Sequence, residues 1–94
     1  MDKNTVFKNK LKLHRKTSGY SQQEVAQILG LSSVAQISRW ERGERYPNLK
    51  YALQLSALYK RLVNDLFWEL YQEQRKCVAK EKMKIELNRN PNQS

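Results

Sequence analysis

Residues 20–43 have the sequence YSQQEVAQILGLSSVAQISRWERG, and this stretch predicts two short helices joined by a tight turn. Ser21 and Glu24 have the spacing of a capping box, in which the serine hydroxyl accepts the backbone N–H of Glu24 and the glutamate carboxylate accepts that of Ser21. Gly30 follows the last apolar residue, where a left-handed residue commonly ends a helix. The first helix of the pair should therefore begin after Ser21 and end at Gly30.

This first helix of the pair carries one apolar face. Val25, Ile28 and Leu29 fall at positions i, i+3 and i+4, which share one side of a helix. Tyr20 precedes the cap and is placed to pack on Val25 as a hydrophobic staple. We expect this face to lie in the core.

The second helix of the pair divides its side chains between two faces. Ser33 and Gln36 repeat the capping-box spacing, so Ser33 is expected to cap the helix. Ile37, Trp40 and Glu41 then point to one side. The opposite side carries small, polar and basic residues, namely Val34, Ala35, Ser38, Arg39 and Arg42. A helix with one side anchored in a domain and the other entering a DNA groove has this composition.

The bulk composition indicates one small basic domain. The chain has 94 residues, a formal charge of +9 and a sequence pI of about 9.9. This length supports one core. The basic excess favours an anionic partner, nucleic acid first and an anionic membrane second, although a protein can also be basic without such a partner.

The rare reactive residues argue against catalysis and metal binding. Cys77 is the only cysteine and His14 the only histidine, so neither an intrachain disulfide nor a cysteine-based zinc site can form. We expect His14 to be partly buried and to pack against its neighbours. We expect the protein not to be an enzyme and to bind no cofactor and no small-molecule ligand. No apolar run approaches a membrane span and no signal peptide is visible, so a cytoplasmic protein without a membrane partner is expected.

Helices are also predicted on both sides of the central pair. Residues 4–17 read as a first helix, with Asn4 or Thr5 as its cap. Asn48 follows Pro47 and should cap a helix that ends near residues 60–61. With no glycine or proline from 62 to 90, that stretch reads as one long helix. Residues 90–94 should be a disordered tail.

Residues 11–67 resemble the DNA-binding domain of the phage-repressor or Cro-like (Xre-type) helix-turn-helix family. The matching elements, in chain order, are Arg15, the segments 19–22, 24–26, 29–31 and 37–43, Pro47, and the leucines ending in Asp65, Leu66 and Phe67. The resemblance implies an all-α fold, a compact five-helix repressor-like DNA-binding bundle, here with an extended C-terminal helix. We expect this DNA-binding domain over residues 1–71 and a charged helical extension over 72–89.

The resemblance also suggests an ion pair between Arg15 and Glu41. A separate physical argument supports it, because Glu41 lies on the apolar side of its helix beside Trp40. A partly buried carboxylate needs a cation or hydrogen-bond donors. The alternative is two exposed charges.

The chain departs from the family in its central turn. Six residues separate Gly30 from Ile37, where the family usually has five. Counting back from Ile37 makes Ser33 the cap and Val34 the first helical residue, whereas counting forward from Gly30 shifts every contact by one. We use the count from Ile37, because Ile37 and Trp40 must be anchored in the core.

The predicted function is sequence-specific binding of double-stranded DNA by a transcriptional regulator, a repressor, whose recognition helix spans about residues 34–42. Helix N-termini bind phosphate, which assigns Gln22, and Ser33 if it is not only a cap, to the DNA backbone. Base contacts are expected from Val34, Ala35, Gln36, Ser38 and Arg39. Backbone contacts are expected from Arg42, Arg45, Asn48 and Lys50. For each of these residues, the alternative is solvated surface.

The C-terminal helix is the available dimerisation element. A homodimer would read two half-sites of a palindromic operator about 34 Å apart. Its seam would contain Trp68, Tyr71, Val78 and Ile85, although the heptads are imperfect. The alternative is an antitoxin-like or adaptor module whose C-terminal helix binds a partner protein. Association of this basic helix with anionic membranes is a weaker alternative, because lysine and glutamate alternate there without a clean apolar face.

Overall fold

The computed structural model describes residues 7–89, and every regular element in that range is a helix. Helices α1 to α5 form a bundle, and α6 extends from it, so that the molecule measures 58 × 35 × 22 Å. The described range therefore has the all-α fold that the sequence predicted. The helices are α1 (Leu11–Ser18), α2 (Gln22–Leu29), α3 (Ala35–Glu41), α4 (Leu49–Tyr59), α5 (Val63–Leu66) and α6 (Trp68–Leu87).

One hydrophobic cluster joins the helices of the bundle. The cluster excludes Ile28, which was predicted to share the buried face of α2 but is 54% exposed. The buried residues of α2 are Val25, Ala26 and Leu29, so the packed side of the helix is rotated from Ile28 towards Ala26. The cluster consists of Leu11, Val25, Ala26, Leu29, Ile37, Trp40, Leu55, Tyr59, Leu66 and Phe67.

The predicted start of the first helix is wrong within the described range. Residues 7–10 are not helical, and α1 begins at Leu11. Three tertiary hydrogen bonds hold this segment instead. The Phe7 N–H donates to Gly43 O (3.2 Å), the Asn9 side-chain amide to Trp40 O (2.9 Å), and the Lys10 N–H to Leu66 O (2.8 Å). The proposed caps Asn4 and Thr5 lie outside the described residues, as does the predicted tail at 90–94.

The predicted single helix over 62–90 is interrupted at Phe67. Phe67 has φ −118° and ψ 49°, and it separates the short α5 from α6. Its side chain is buried in the core. Because the helix breaks there, Leu66 O is free to accept the Lys10 N–H. A tertiary contact therefore compensates for the interruption.

Helix α4 has the predicted boundaries. The Asn48 side chain accepts the Tyr51 N–H (2.9 Å) as an N-cap. The helix ends at Tyr59, and Lys60 follows in the left-handed conformation with φ +56°. No helix within residues 7–89 has the length and apolar character needed to cross a membrane.

Candidate nucleic-acid interface

An ion pair between α1 and the end of α3 anchors the candidate interface. The Arg15 Nε donates to Glu41 Oε2 (2.6 Å) and its Nη2 to Oε1 (3.2 Å), so the contact is bidentate. The two side chains are only 9% and 4% exposed. A third bond runs from Arg15 Nη1 to Tyr20 O (3.0 Å). Arg15 thus ties α3 to the start of α2.

The pair affects the titration of two buried groups. The hydrogen bond to Glu41 raises the pKa of Arg15 above its ordinary value. Burial, reinforced by the charge of Glu41, raises the pKa of the neighbouring Tyr59 to about 12. Both groups therefore keep their protons at neutral pH.

The structure gives Gln22 a different contact from the predicted phosphate. The Gln22 side-chain amide donates to Glu41 Oε1 (3.0 Å), so the free protein uses this side chain inside the ion-pair network. Ser21 and Glu24 form the predicted capping box at the same end of α2, with bonds of 3.0 Å and 2.8 Å. Gln22 thus fixes α2 to α3 in the described structure.

Helix α3 separates a buried side from an exposed side, as its sequence pattern predicted. Ile37 and Trp40 are only 2% and 3% exposed. Gln36 and Arg39 are exposed, while Ala35 and Ser38 are half-buried. Within residues 7–89, the side chain of Arg39 makes no hydrogen bond or ion pair. None of the described residues therefore occupies the guanidinium, and it can donate to an acceptor outside the protein.

The start of α3 differs from the prediction. The helix begins at Ala35, and Val34 is the capping residue with no side-chain cap. The Ser33 hydroxyl accepts the Ala35 N–H (3.3 Å), so the predicted capping box with Gln36 does not form. Val34 is half-buried and packs on the core cluster. The extra residue therefore lengthens the turn before α3, and Val34 packs on the core and does not lie on the exposed side of α3.

Arg42 lies against two neighbours at the end of α3. Its Nε and Nη2 donate to the two carboxylate oxygens of Glu44, at 2.6 Å and 3.1 Å, and its Nη1 donates to the Ser38 hydroxyl. The hydrogen bond from Arg42 lowers the pKa of Glu44. No sequence pattern singles out Glu44, because this contact joins the end of α3 to a loop residue two positions later.

The other residues predicted to contact the DNA backbone follow α3 along the chain. Arg45 and Lys50 are exposed, and the Lys50 ammonium lies 5.5 Å from the centroid of the Tyr51 ring. Asn48 is also exposed, but its side-chain oxygen already caps α4. Within residues 7–89, the side-chain nitrogen of Asn48 makes no hydrogen bond.

Sequence reasoning missed the support that residues 7–9 give to α3. Asn9 accepts the Leu11 N–H (3.0 Å) while donating to Trp40 O, so one side chain joins the start of α1 to the end of α3. The Phe7 ring packs on Tyr46, with centroids 4.6 Å apart. A regular helix from residue 4 would have precluded both contacts, and no local pattern revealed them.

The described residues contain no cluster suited to a metal ion. No group of three or more His, Cys, Asp or Glu side chains converges within residues 7–89. His14 is half-buried, as expected, and burial together with the charges of Arg61 and Lys10 lowers its pKa. Cys77 is exposed on α6.

Comparisons with known proteins agree with this geometry. Residues 11–64 match a family model described as helix-turn-helix. The chain is also 35% identical over 62 residues to the uncharacterized HTH-type transcriptional regulator YgzD of Bacillus subtilis (strain 168). That alignment covers 66% of this chain and 92% of the relative. No solved structure gives a significant match.

Proposed function

This chain belongs to the helix-turn-helix family, and from that premise we propose that it is a sequence-specific regulator of transcription that binds double-stranded DNA. The observation that carries the proposal is the division of α3. Ile37 and Trp40 anchor its inner side, and the exposed Gln36 and Arg39 are left on its outer side. We assign this outer side to the major groove.

Base readout falls to the outer side of α3. The Arg39 guanidinium can donate two hydrogen bonds to guanine O6 and N7, and the Gln36 amide can pair with adenine. Ala35 and Ser38 line the same side and suit close contacts with base edges. Val34 belongs to this set in the sequence prediction, but its packing on the core limits it to a contact at the margin.

The residues before and after α3 are assigned to contacts with the DNA backbone. The N-terminus of α2 presents unpaired N–H groups beside Gln22, and Ser33 lies in the turn before α3. Arg45, Asn48 and Lys50 follow α3 along the chain. The formal charge of +9 supports this assignment, since phosphate contacts by lysine and arginine supply much of the affinity for DNA.

We further propose that the protein acts as a homodimer on a palindromic operator. Tyr71, Val78 and Ile85 recur at intervals of seven along α6, and they are 39%, 62% and 61% exposed. Trp68 extends this stripe towards the bundle, with its ring centroid 6.4 Å from that of Tyr71. Two chains joined through this stripe would bring two reading helices to successive turns of the duplex.

We propose that the regulator is a cytoplasmic repressor. A domain of this size that occupies an operator can block polymerase by steric exclusion alone, without a contact to a second protein.

A second function is supported by the charge around the α6 stripe. Arg75 and Lys82 line a shallow groove with Tyr71 and Val78. An acidic helix from another protein would place carboxylates against these two cations. An antitoxin-like or adaptor role, with α6 holding a partner protein, is therefore the alternative.

Binding of the full chain to DNA tests the proposal. A site is first selected from a random duplex library, and the affinity for that selected duplex is compared with the affinity for an unrelated duplex. Specific complexes usually exceed non-specific ones by about 10³ or more. Equal affinity for the two duplexes would overturn the proposal. Analytical ultracentrifugation with and without the selected duplex tests the dimer, and a monomer in both samples would remove it.

A further inference from the structure

Glu44 places an acidic group next to the proposed reading surface. Its side chain is 39% exposed, and that of Arg42 is 56% exposed, so their ion pair lies at the surface. An exposed pair of this kind contributes little to folding. A carboxylate near a surface assigned to DNA also repels phosphates, so its presence there calls for a specific role.

The contacts of Arg42 suggest that role. An arginine side chain has five N–H donors. Glu44 takes one from Nε and one from Nη2, and the Ser38 hydroxyl takes one from Nη1. One N–H on each terminal nitrogen therefore remains for a further acceptor pair.

These contacts also determine where the guanidinium lies. Ser38 is one turn before Arg42, so the Nη1 group lies back along α3 while Nε and Nη2 face Glu44 in the loop. Ser38 shares its side of the helix with the proposed base-reading residues. Hydrogen bonds to Ser38 and Glu44 fix the guanidinium, and its two remaining N–H groups are consequently held beside the base-reading side of α3.

We propose that Glu44 is a positioning residue for DNA recognition, which fixes the Arg42 guanidinium so that Arg42 reads a guanine edge instead of contacting a phosphate. This inference rests on the proposed function and moves Arg42 from the backbone-contacting set to the base-reading set. Two N–H groups on a planar fork match O6 and N7 of guanine. Fixing the side chain in advance lowers the entropy lost on binding.

Glu44→Ala in the full chain tests the proposal. The measured quantity is the specificity ratio, defined as the dissociation constant for an unrelated duplex divided by that for the selected duplex. We expect this ratio to fall by about 5-fold or more, the lower range for losing one good base contact. The same substitution in an Arg42→Ala background should leave the ratio of that background unchanged.

A matched control is available on α6. Glu81 also carries an exposed carboxylate in an ion pair, with Lys84 at 3.2 Å, and each of the two side chains is 60% exposed. Glu81→Ala removes the same charge away from α3 and should keep the wild-type ratio. Glu44→Gln keeps one acceptor for Arg42, and we expect its ratio to lie between those of the wild type and Glu44→Ala.

Three results would overturn the inference. If Glu44 only repels DNA, Glu44→Ala will strengthen binding to both duplexes equally and leave the ratio unchanged. If Glu44 withholds Arg42 from DNA, the ratio will rise. If the wild-type protein itself shows no preference, the proposed function fails together with the inference, whereas a wild-type preference with an unaffected Glu44→Ala ratio defeats the inference alone.

Discussion

Arg15 and Glu41 form a bidentate ion pair between α1 and the end of α3, with donor–acceptor distances of 2.6 Å and 3.2 Å. The pair is almost completely buried, and Gln22 and the carbonyl of Tyr20 complete its hydrogen bonds. The end of α3 is thereby fixed to α1 and α2. The orientation of the exposed side of α3 depends on this network.

Arg15→Ala should strongly destabilise the protein. Removing one partner of a buried pair leaves an uncompensated charge and typically costs about 3–5 kcal/mol. Urea denaturation followed by circular dichroism measures the free energy of unfolding. Arg42→Ala is the matched control, because it breaks an ion pair that is exposed. Equal stability of Arg15→Ala and the wild type would show that the buried pair does not hold the fold.

Gly43→Ala should destabilise the protein more than Gly30→Ala. Both glycines are left-handed, with φ of +76° and +75°, so each substitution carries the same conformational cost of about 1 kcal/mol. A Cβ on Gly43 would lie 2.0 Å from Phe7 O, whereas one on Gly30 would meet nothing within 4 Å. The Gly43 variant must also lose the hydrogen bond from Phe7. Thermal unfolding of the two variants measures the difference, and equal losses would contradict the position of residues 7–9.

Tyr59 should make the fold sensitive to alkaline pH. Its pKa is raised from about 10 to about 12, so the folded state keeps the phenol proton after the unfolded state has lost it. The resulting stability is fully present below pH 10 and is lost as the pH rises from about 10 to 12, by on the order of 2 kcal/mol. Tyr59→Phe should reduce this decline in the free energy of unfolding. Tyr71→Phe, at an exposed position, is the control, and identical pH curves for the wild type and Tyr59→Phe would refute the assignment.

Lys50→Ala should weaken binding to every DNA sequence by a similar factor. An exposed lysine that contacts phosphate contributes charge and no base readout. The slope of log affinity against log salt should become less steep by about 0.9, the value for one lost phosphate contact. Fluorescence anisotropy at several salt concentrations measures this slope. A slope equal to that of the wild type would place Lys50 away from the backbone.

Local signals in the sequence predicted the parts of the fold that local interactions stabilise. The capping box of α2, its end at Gly30 and the Asn48 cap of α4 depend on residues within one turn, and the structure contains all three. The two sides of α3 followed from periodicity, since Ile37 and Trp40 occupy the same side of any helix that includes both.

The errors occurred where distant segments decide the backbone. The start of α1 and the break at Phe67 have no glycine or proline to mark them. Both depend on the hydrogen bond from Lys10 to Leu66 and on burial of the Phe67 ring. Helix α3 begins one residue later than predicted, because the longer turn lets Val34 pack inward. The contact between Glu44 and Arg42 depends on how the loop folds back, which helical periodicity does not describe.

Selection of duplexes from a random library by the wild type and by Arg39→Ala tests the central claim, that the exposed side of α3 reads DNA. We predict that the wild type enriches a defined motif and that Arg39→Ala loses the base preference at one position of it, by about 1–3 kcal/mol. No enriched motif for the wild type, or the same motif with unchanged preferences for Arg39→Ala, would contradict the claim.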